Sequence, residues 1–256
     1  MDPATIVGIA LAFVAVFTAL ILEGGHPGSI FLLPPLILVF IGTLGAAMAG
    51  GTLKDTIGLV DSFKRVLLSK AAAPDALVED IVKLAEKARR EGLLALEDAM
   101  KEVQDPFLKK GLQLAIDGTD SEELAAILEA EVDAKKKADK QSATYFTAMG
   151  GYAPTIGIVG TVLGLIHVLE NLSQPDKLGH LIAGAFVATL WGVMSANVLW
   201  LPMAAKLKRV SEMEVAQMEL VIAGIINIQA GANPRLVAQK LRSLLPPGGA
   251  KQKEAA

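Results

Sequence analysis

Apolar and polar positions alternate along this chain at two scales. Four long stretches carry no charge, and the segments between and after them repeat apolar residues at helical spacing among many ionised ones. Ala4 to Leu22 is an unbroken uncharged run of 19 residues, long enough as a helix to cross ~30 Å of hydrocarbon. Gly24-Gly25-His26-Pro27-Gly28 reads as a tight polar turn, and Ser29 to Gly50 again holds no ionisable side chain. That predicts a second span over about 30–50, with Pro34-Pro35 expected to bend or break its first turns. From Gln141 to Leu169, and again from Leu178 to Ala205, there is no Asp, Glu, Lys or Arg. The spacing predicts spans over about 149–169 and 180–205, with Glu170, Asp176 and Lys177 in the short connection. Four spans in two hairpins account for the pattern.

The segments between are helical in period. Leu53, Ile57, Val60, Phe63, Val66 and Leu67 recur on one predicted face, and Pro74 is placed to open a helix through Leu77, Val78, Ile81, Val82, Leu84 and Ala85. Gly92 is a point at which that helix can break; Leu93 to Val103 continues the pattern until Asp105-Pro106. Asp117-Gly118 marks a turn, and Asp120 or Ser121 can cap a helix over Glu122 to Lys140 that runs on into the third span. Lys206 to Ala230 reads as an extension of the fourth span, and Asn233-Pro234 restarts a short helix. The expected organisation is a membrane hairpin over 1–50, a cytoplasmic helical region over 51–148, a second membrane hairpin over 149–205, C-terminal cytoplasmic helices over 206–245 and a disordered tail over 246–256 that opens with Pro246-Pro247-Gly248-Gly249. The expected fold class is an all-α integral membrane protein.

Direction follows from charge. Fifteen Lys and Arg lie in residues 51–148 and eight follow residue 205, whereas Lys177 alone sits in the two tight turns. By the positive-inside rule both termini and the long interval are expected on the cytoplasmic side. Met1-Asp2-Pro3 supplies no basic n-region, so the first span is expected to stay in the mature protein rather than leave as a signal peptide. With 52% hydrophobic and 20% charged residues and a net charge of -3, the chain is neither a disordered polymer nor a basic nucleic-acid binder. It has no cysteine, which removes disulfides, thiolate metal sites and cysteine nucleophiles together. His26, His167 and His180 lack paired ligand spacing, so no metal site is expected.

None of the four stretches carries a carboxylate near its middle. Groups that move ions or protons across a membrane are usually ionisable side chains facing a polar cavity. If this chain helps conduct a cation, a second chain must bring the acid. The third and fourth spans nevertheless hold Thr155, Thr161, Thr189, Ser195 and Asn197, small residues including Gly157, Gly160, Gly164, Ala185, Ala188 and Gly192, and the prolines Pro154 and Pro202. Small residues allow close helix packing, and each proline frees a backbone carbonyl; simple lipid-embedded packing with tolerated kinks is the plainer reading of the same residues. A threonine hydroxyl in a helix commonly bonds its own i−4 carbonyl, so Thr161 and Thr189 taken singly carry little information. Lys135-Lys136-Lys137 and Lys140, flanked by Glu129, Glu131, Asp133 and Asp139, read as a solvated helix face. Arg90 and Glu97 fall on nearly one stripe if the helix is continuous, with Arg89 and Asp98 alongside. Such charges can be merely solvated, or can steer a charged partner that binds and leaves repeatedly.

The combination resembles the flagellar stator A-subunit family, MotA and its sodium-type relative PomA. Four motifs carry the likeness, which covers about residues 1–245: Met1-Asp2-Pro3-Ala4-Thr5 leading into the first span; Ala88-Arg89-Arg90-Glu91-Gly92-Leu93-Leu94-Ala95-Leu96-Glu97; Tyr152-Ala153-Pro154-Thr155-Ile156-Gly157 with Gly160-Thr161-Val162-Leu163-Gly164; and Ala188-Thr189-Leu190-Trp191-Gly192 followed by Leu201-Pro202. The resemblance implies a ring of identical subunits, a homopentamer, in the bacterial inner membrane around a dimer of MotB-like B-subunits. Those are anchored to peptidoglycan and supply the essential membrane Asp. It implies that Arg89 and Glu97, with Arg90 and Asp98 as neighbours, face the rotor's switch-complex protein. Pro154 and Pro202 match the prolines that couple ion flow to motion, and Thr161 and Thr189 match positions lining the ion path. No enzyme activity, resident cofactor or nucleic-acid partner is implied, and lipid surrounds the ring.

The transported ion is expected to be H+ rather than Na+. The Thr161 hydroxyl resembles the sodium-type pattern, but residue 188 is Ala where sodium-type members tend to show paired threonines, and Thr at 189 occurs in both classes. An ExbB/TolQ-like energiser of envelope transport uses a similar ring and usually has three spans. A membrane scaffold without transport is the alternative of a different class. An intramembrane hydrolase lacks a nucleophile and base constellation here.

Overall fold

The structure, a computed structural model, describes residues 4–68 and 74–245. The Met1-Asp2-Pro3 motif and the 246–256 tail lie outside the described residues. Ten α-helices follow one another among these residues: α1 Ala4–Leu22, α2 Leu33–Gly50, α3 Leu53–Leu68, α4 Pro74–Glu91, α5 Leu96–Ala99, α6 Pro106–Ile116, α7 Ser121–Glu170, α8 Pro175–Met194, α9 Leu201–Gln229 and α10 Pro234–Ser243. No strand is present among the described residues. Among the described residues, four helices are long and apolar enough to cross a membrane: α1, α2, α7 and the rod Pro175–Gln229. Two compact units result, Met1–Lys70 with Asp139–Val210 and Ala71–Ala138 with Ser211–Ala256.

Helix starts depart from the sequence reading where proline is involved. The second span does not begin near residue 30 and bend; a 3-10 turn over Pro27–Ile30 comes first, and α2 starts at Leu33 with Pro34-Pro35 in its first positions. A first-turn residue has no intrahelical use for its N–H, so proline opens a helix as readily as it breaks one. For the same reason α8 begins at Pro175 rather than at 180, taking Asp176 and Lys177 into its first turn. Asp105-Pro106 starts α6 instead of merely ending a pattern, with the Asp105 carboxylate accepting from the Leu108 N–H at 2.7 Å. The third span and the helix before it are one rod, α7, of 50 residues.

In the first unit the membrane helices gather on Trp191 of α8. Its ring lies 6.5 Å from Phe13 of α1, 5.5 Å from Phe31 and 5.9 Å from Phe40 of α2 between centroids. The indole Nε1–H donates to the Ile30 carbonyl at 2.6 Å, which pins the turn between the first two spans. Below, α3 lies on α7. Of the helically spaced residues on α3, Leu53, Ile57 and Val60 are exposed, while Val66 and the neighbouring Leu59 are buried and Phe63 meets Phe146 edge-on at 5.1 Å. Polar groups also tie α3 to α7. Arg65 of α3 grips Asp139 of α7 with both guanidinium nitrogens, Nη2 reaching Oδ2 at 2.8 Å, and Asp139 is only 7% exposed. The carboxylate expected on a solvated face is therefore buried and paired. Thr52 and Asp55 cap α3 reciprocally, the Thr52 N–H donating to the carboxylate at 2.9 Å and the Asp55 N–H to the hydroxyl at 3.3 Å, and Gln141 of α7 donates to the same carboxylate at 2.8 Å. The Thr52 hydrogen bonds, from side chain and backbone, hold the Asp55 carboxyl below its ordinary value.

The second unit has its own apolar core, with Ile81 and Leu84 of α4, Leu108 and Leu112 of α6, Leu124 and Leu128 of α7, Leu220 and Ile225 of α9 and Leu241 of α10. Two lysines of the expected solvated face tie α7 to α9 here, Lys135 to Glu214 at 2.6 Å and Lys136 to Glu219 at 2.9 Å. The bond to Glu219 raises the Lys136 ammonium above its ordinary value.

Removing one partner of a buried ion pair leaves the other charge poorly compensated, at a cost on the order of 3 kcal/mol, whereas replacing both by apolar groups is nearly neutral. Asp139→Leu should lower the chemical unfolding midpoint of the detergent-solubilised protein, and adding Arg65→Met should recover most of the loss. A double variant as unstable as the sum of the singles would contradict this assignment.

Candidate functional site

The third and fourth spans touch backbone to backbone. A Cβ placed on Gly157 of α7 would lie 2.8 Å from the Ala188 carbonyl oxygen and 3.2 Å from the Gly192 Cα; one placed on Gly192 of α8 would lie 2.7 Å from the Ala153 carbonyl oxygen. Gly164 faces the Ala185 backbone at 2.8 Å in the same sense. The apposition brings two hydroxyls together. Thr161 and Thr189 share a short hydroxyl–hydroxyl contact; Thr161 Oγ1 also lies 3.0 Å from the Ala185 carbonyl, and Thr189 Oγ1 lies 3.3 Å from the Gly157 carbonyl across the interface. Thr161 keeps the local i−4 geometry too, at 3.3 Å from the Gly157 oxygen. The threonines that meant little singly thus form one cluster.

That cluster consists of neutral oxygens. Two hydroxyls and two carbonyls can present lone pairs to a cation or to water, and none of them titrates near neutral pH. The uncharged stretches around it contribute no carboxylate. Pro154 lies inside α7 without ending it. Pro202 is the second residue of α9 and follows a π-helical wide turn over Ser195–Trp200. Near both, Gly150 of α7 gives way to Leu201, whose Cδ2 would lie 2.5 Å from an added Cβ. Pro154, Thr161, Thr189 and Pro202 are all half-buried.

The charged motif takes a different form from the expected stripe. Gly92 has a φ of 85°, which ends α4 after Glu91, and a 3-10 turn over Leu93–Ala95 leads into α5. Arg90 and Glu97 therefore do not share one helical face. Arg89 and Arg90 occupy the last turn of α4, and Glu97 and Asp98 the first turn of α5. Each sign sits at the helix end whose dipole favours it. Buried Ala88 and Leu96 seat the two arms on the core, leaving all four charged residues exposed. Asp98 accepts from Lys101 at 2.8 Å; that hydrogen bond, with the charge behind it, holds the Asp98 carboxyl below its ordinary value and raises the Lys101 ammonium. Among the described residues, Arg89, Arg90 and Glu97 make no ion pair.

His26 caps the 3-10 turn through its own ring nitrogen, 3.1 Å from the Gly28 N–H. His167 approaches Glu170 at 3.3 Å, and with His180 it edges an apolar groove of about 440 Å³ between α2, α7 and α8. The described residues hold no group of three His, Cys, Asp or Glu arranged for a metal ion. Three features escaped sequence reasoning. Arg65 and Asp139 are 74 positions apart, so no local spacing announces them. The wide turn had one signal, the proline just beyond it. Trp191 had another, as one of the chain's two indoles, both in the fourth span.

Gly157→Ala should disrupt the apposition and lower thermal stability in detergent, whereas Gly151→Ala, whose Cβ meets nothing within 4 Å, should be neutral. Equal melting temperatures for the two variants would contradict the close approach. At the charged turn, a lowered folded-state pKa means that the Asp98 pairing is fully present above the ordinary carboxyl value and fades as pH falls through the folded one. Lys101→Met should let the Asp98 pKa rise toward 3.8, as read by carboxyl-carbon NMR; an unchanged titration would contradict the pairing.

Comparison with known proteins gives the chain's family. Residues 6–92 match the family described as motility protein A N-terminal, and residues 99–220 the MotA/TolQ/ExbB proton channel family. The chain is 39% identical to motility protein A of Bacillus subtilis (strain 168) over 248 residues, which is 96% of this chain and 92% of that protein. Solved structures share its fold, among them two stator complexes. The C. jejuni MotAB structure superposes with a TM-score of 0.92 at 31% identity, covering 98% of this chain and 100% of its counterpart. The flagellar MotAB stator complex of Bacillus subtilis gives 0.89 at 37% identity, covering 96% and 97%. This membrane protein belongs to the motility protein A family.

Proposed function

We propose that the chain is the A-type subunit of a flagellar motor stator, forming a cation channel with a MotB-like B-subunit and converting proton-motive force into torque on the rotor. The observation that carries this reading is the Thr161/Thr189 oxygen cluster in two spans without a carboxylate. An ion crossing there needs a countercharge that this chain does not provide, and the MotAB composition of the solved relatives supports a B-subunit as its source. Protonating that acid lowers the cost of holding it against the apolar faces of α7 and α8; releasing the proton restores a charge that must move to a polar position. The transmembrane potential adds ~2.3 kcal/mol per charge per 100 mV, so direction comes from the ion gradient. Only binding and movement are required, which supports a non-enzyme without a resident cofactor.

The finer features rest on the same reading. Exposed apolar side chains on both inner spans, among them Ile158, Val162, Phe186 and Val193, suit burial against lipid and further copies in a homopentameric ring. The Lys and Arg distribution supports the inner membrane with both termini cytoplasmic. Arg89, Arg90, Glu97 and Asp98 present both signs on one rigid turn, which suits brief contacts with the charged face of the switch-complex protein.

Sodium is the second reading, favoured by the convergence of four neutral oxygens at Thr161 and Thr189. Ala188, packed against Gly160 at that level, adds no further oxygen, and protons remain the assigned ion. In a stator-deleted strain expressing the chain with its B-subunit, swimming should be insensitive to sodium at fixed pH and abolished by a protonophore. Sodium dependence that weakens on Thr161→Ala would reverse the ion assignment. Reversing the charge of Arg89 or Glu97 should impair swimming while ion leakage through an unplugged complex persists; equal loss of both would remove the rotor contact.

A further inference from the structure

The start of α2 stands away from the α7–α8 hairpin. Leu38 of α2 still reaches α7, its Cδ2 lying 2.8 Å from a Cβ placed on Gly160. Nearer the Pro27–Ile30 turn, Gly164 and Gly184 carry no side chain that would fill the space between the helices. Within 4 Å, a Cβ on Gly184 would meet only Leu32 Cδ1, at 3.6 Å. The result is the groove of about 440 Å³ between α2, α7 and α8. It follows α7 from Gly160 to His167, which is about 10 Å at the helical rise.

Its polarity is one-sided. The walls are aliphatic, Leu163 of α7 and Leu181 of α8 among them, and the titratable side chains that line it are His167 and His180. Both histidines are exposed and lie at the end next to the connection between the third and fourth spans. Lys177 stands one turn before His180. It precedes Leu181, Gly184 and Ala188 by four, seven and eleven positions, so helical periodicity sets it over the groove. The carboxylates at this end are placed otherwise: Glu170 lies 3.3 Å from His167 Nδ1, and Asp176 falls about 100° round the helix from Lys177. Among the described residues Lys177 makes no ion pair.

An apolar groove with one basic end matches an amphiphile with an acyl chain and an anionic head. We infer that it binds one glycerophospholipid, with an acyl chain between Leu163 and Leu181 and the phosphate at Lys177 and His180. The ammonium and the imidazole N–H both donate to phosphate oxygens, the first as a charge-assisted bond. A helix of another subunit packed on the same walls would leave the basic end uncompensated. The inference goes beyond the stator reading and needs only that these helices lie in a membrane. The leaflet, the outer one, follows from the proposed orientation.

The test uses the assembled stator, purified with its B-subunit, delipidated in maltoside micelles and carrying a photoreactive phenylalanine analogue in place of Leu181. It is irradiated with phosphatidylglycerol or with a diacylglycerol of the same chains, and the adducts are identified by mass. The expected product is the chain plus one phosphatidylglycerol, with the diacylglycerol adduct much weaker. Lys177→Gln should lower the phospholipid adduct about fivefold, the factor that one basic side chain near a phosphate is worth. Gly184→Leu, which fills the groove, should abolish the adduct, and Gly184→Ala should retain it. Equal adducts from the two lipids, an adduct indifferent to Lys177→Gln, or one that persists in Gly184→Leu would reduce the contact to ordinary surrounding lipid and overturn the site. Capture of a second copy or of the B-subunit at position 181, in place of lipid, would overturn it as well. If Gly184→Leu does not assemble, the Lys177→Gln ratio decides.

Discussion

The contact on which the membrane part depends is the one between Gly157 of α7 and Gly192 of α8, where two helix backbones meet with no side chain between them. In lipid, helices gain little from hiding apolar surface, and close packing of small residues supplies the attraction instead. That approach places each helix's carbonyls within reach of the other's threonine. Thr161 and Thr189 then both bond across the interface, and Thr161 also bonds along its own helix. The same approach excludes bulk from the interface and leaves it lined by neutral oxygens. The pair of spans is therefore well bonded and uncharged, and an ion beside it must be balanced by an acid from another chain.

Around that core the polar groups act as fasteners. Trp191 joins the first two spans to α8 by one indole hydrogen bond and a cluster of rings. At the α3 end of the membrane unit, the Arg65–Asp139 pair and the Thr52–Asp55–Gln141 bonds hold α3 on α7, with Leu53, Ile57 and Val60 facing outward. Each fastener matches a place where hydrophobic spacing alone left the arrangement open. In the second unit the apolar core holds Ala88 and Leu96, so the charged turn between them is anchored at both ends and presents both signs.

Much of this was legible in the sequence because the bilayer leaves a coarse signature. Nineteen uncharged residues from Ala4 to Leu22 have few other destinations. Thr161, Thr189, Pro154 and Pro202 were visible as candidates, yet their juxtaposition was not, since it depends on which faces of α7 and α8 meet. Periodicity gave α3 as a helix, but not which side of it is covered, because the Arg65–Asp139 pair that ties it to α7 joins distant positions. Arg90 and Glu97 would share one face only in a helix continuous through Gly92, and the left-handed backbone there is the break that the sequence offered. The prolines at 34 and 106 were read as breaks where they serve as first-turn residues, and Pro175 opens the fourth span's helix ahead of the expected start near 180. Asp139 lay hidden among charges that are otherwise solvent-facing, with its partner in a distant helix.

The central claim is that this chain's spans form a conduit lacking its own titrating group. Its most direct test is proton flux into pH-sensitive liposomes under an imposed potential. The purified chain alone should be as tight as empty vesicles, and co-reconstitution with an unplugged B-subunit should open a flux that vanishes when the B-subunit's membrane Asp is replaced by Asn. Selective flux through the chain alone would contradict the account.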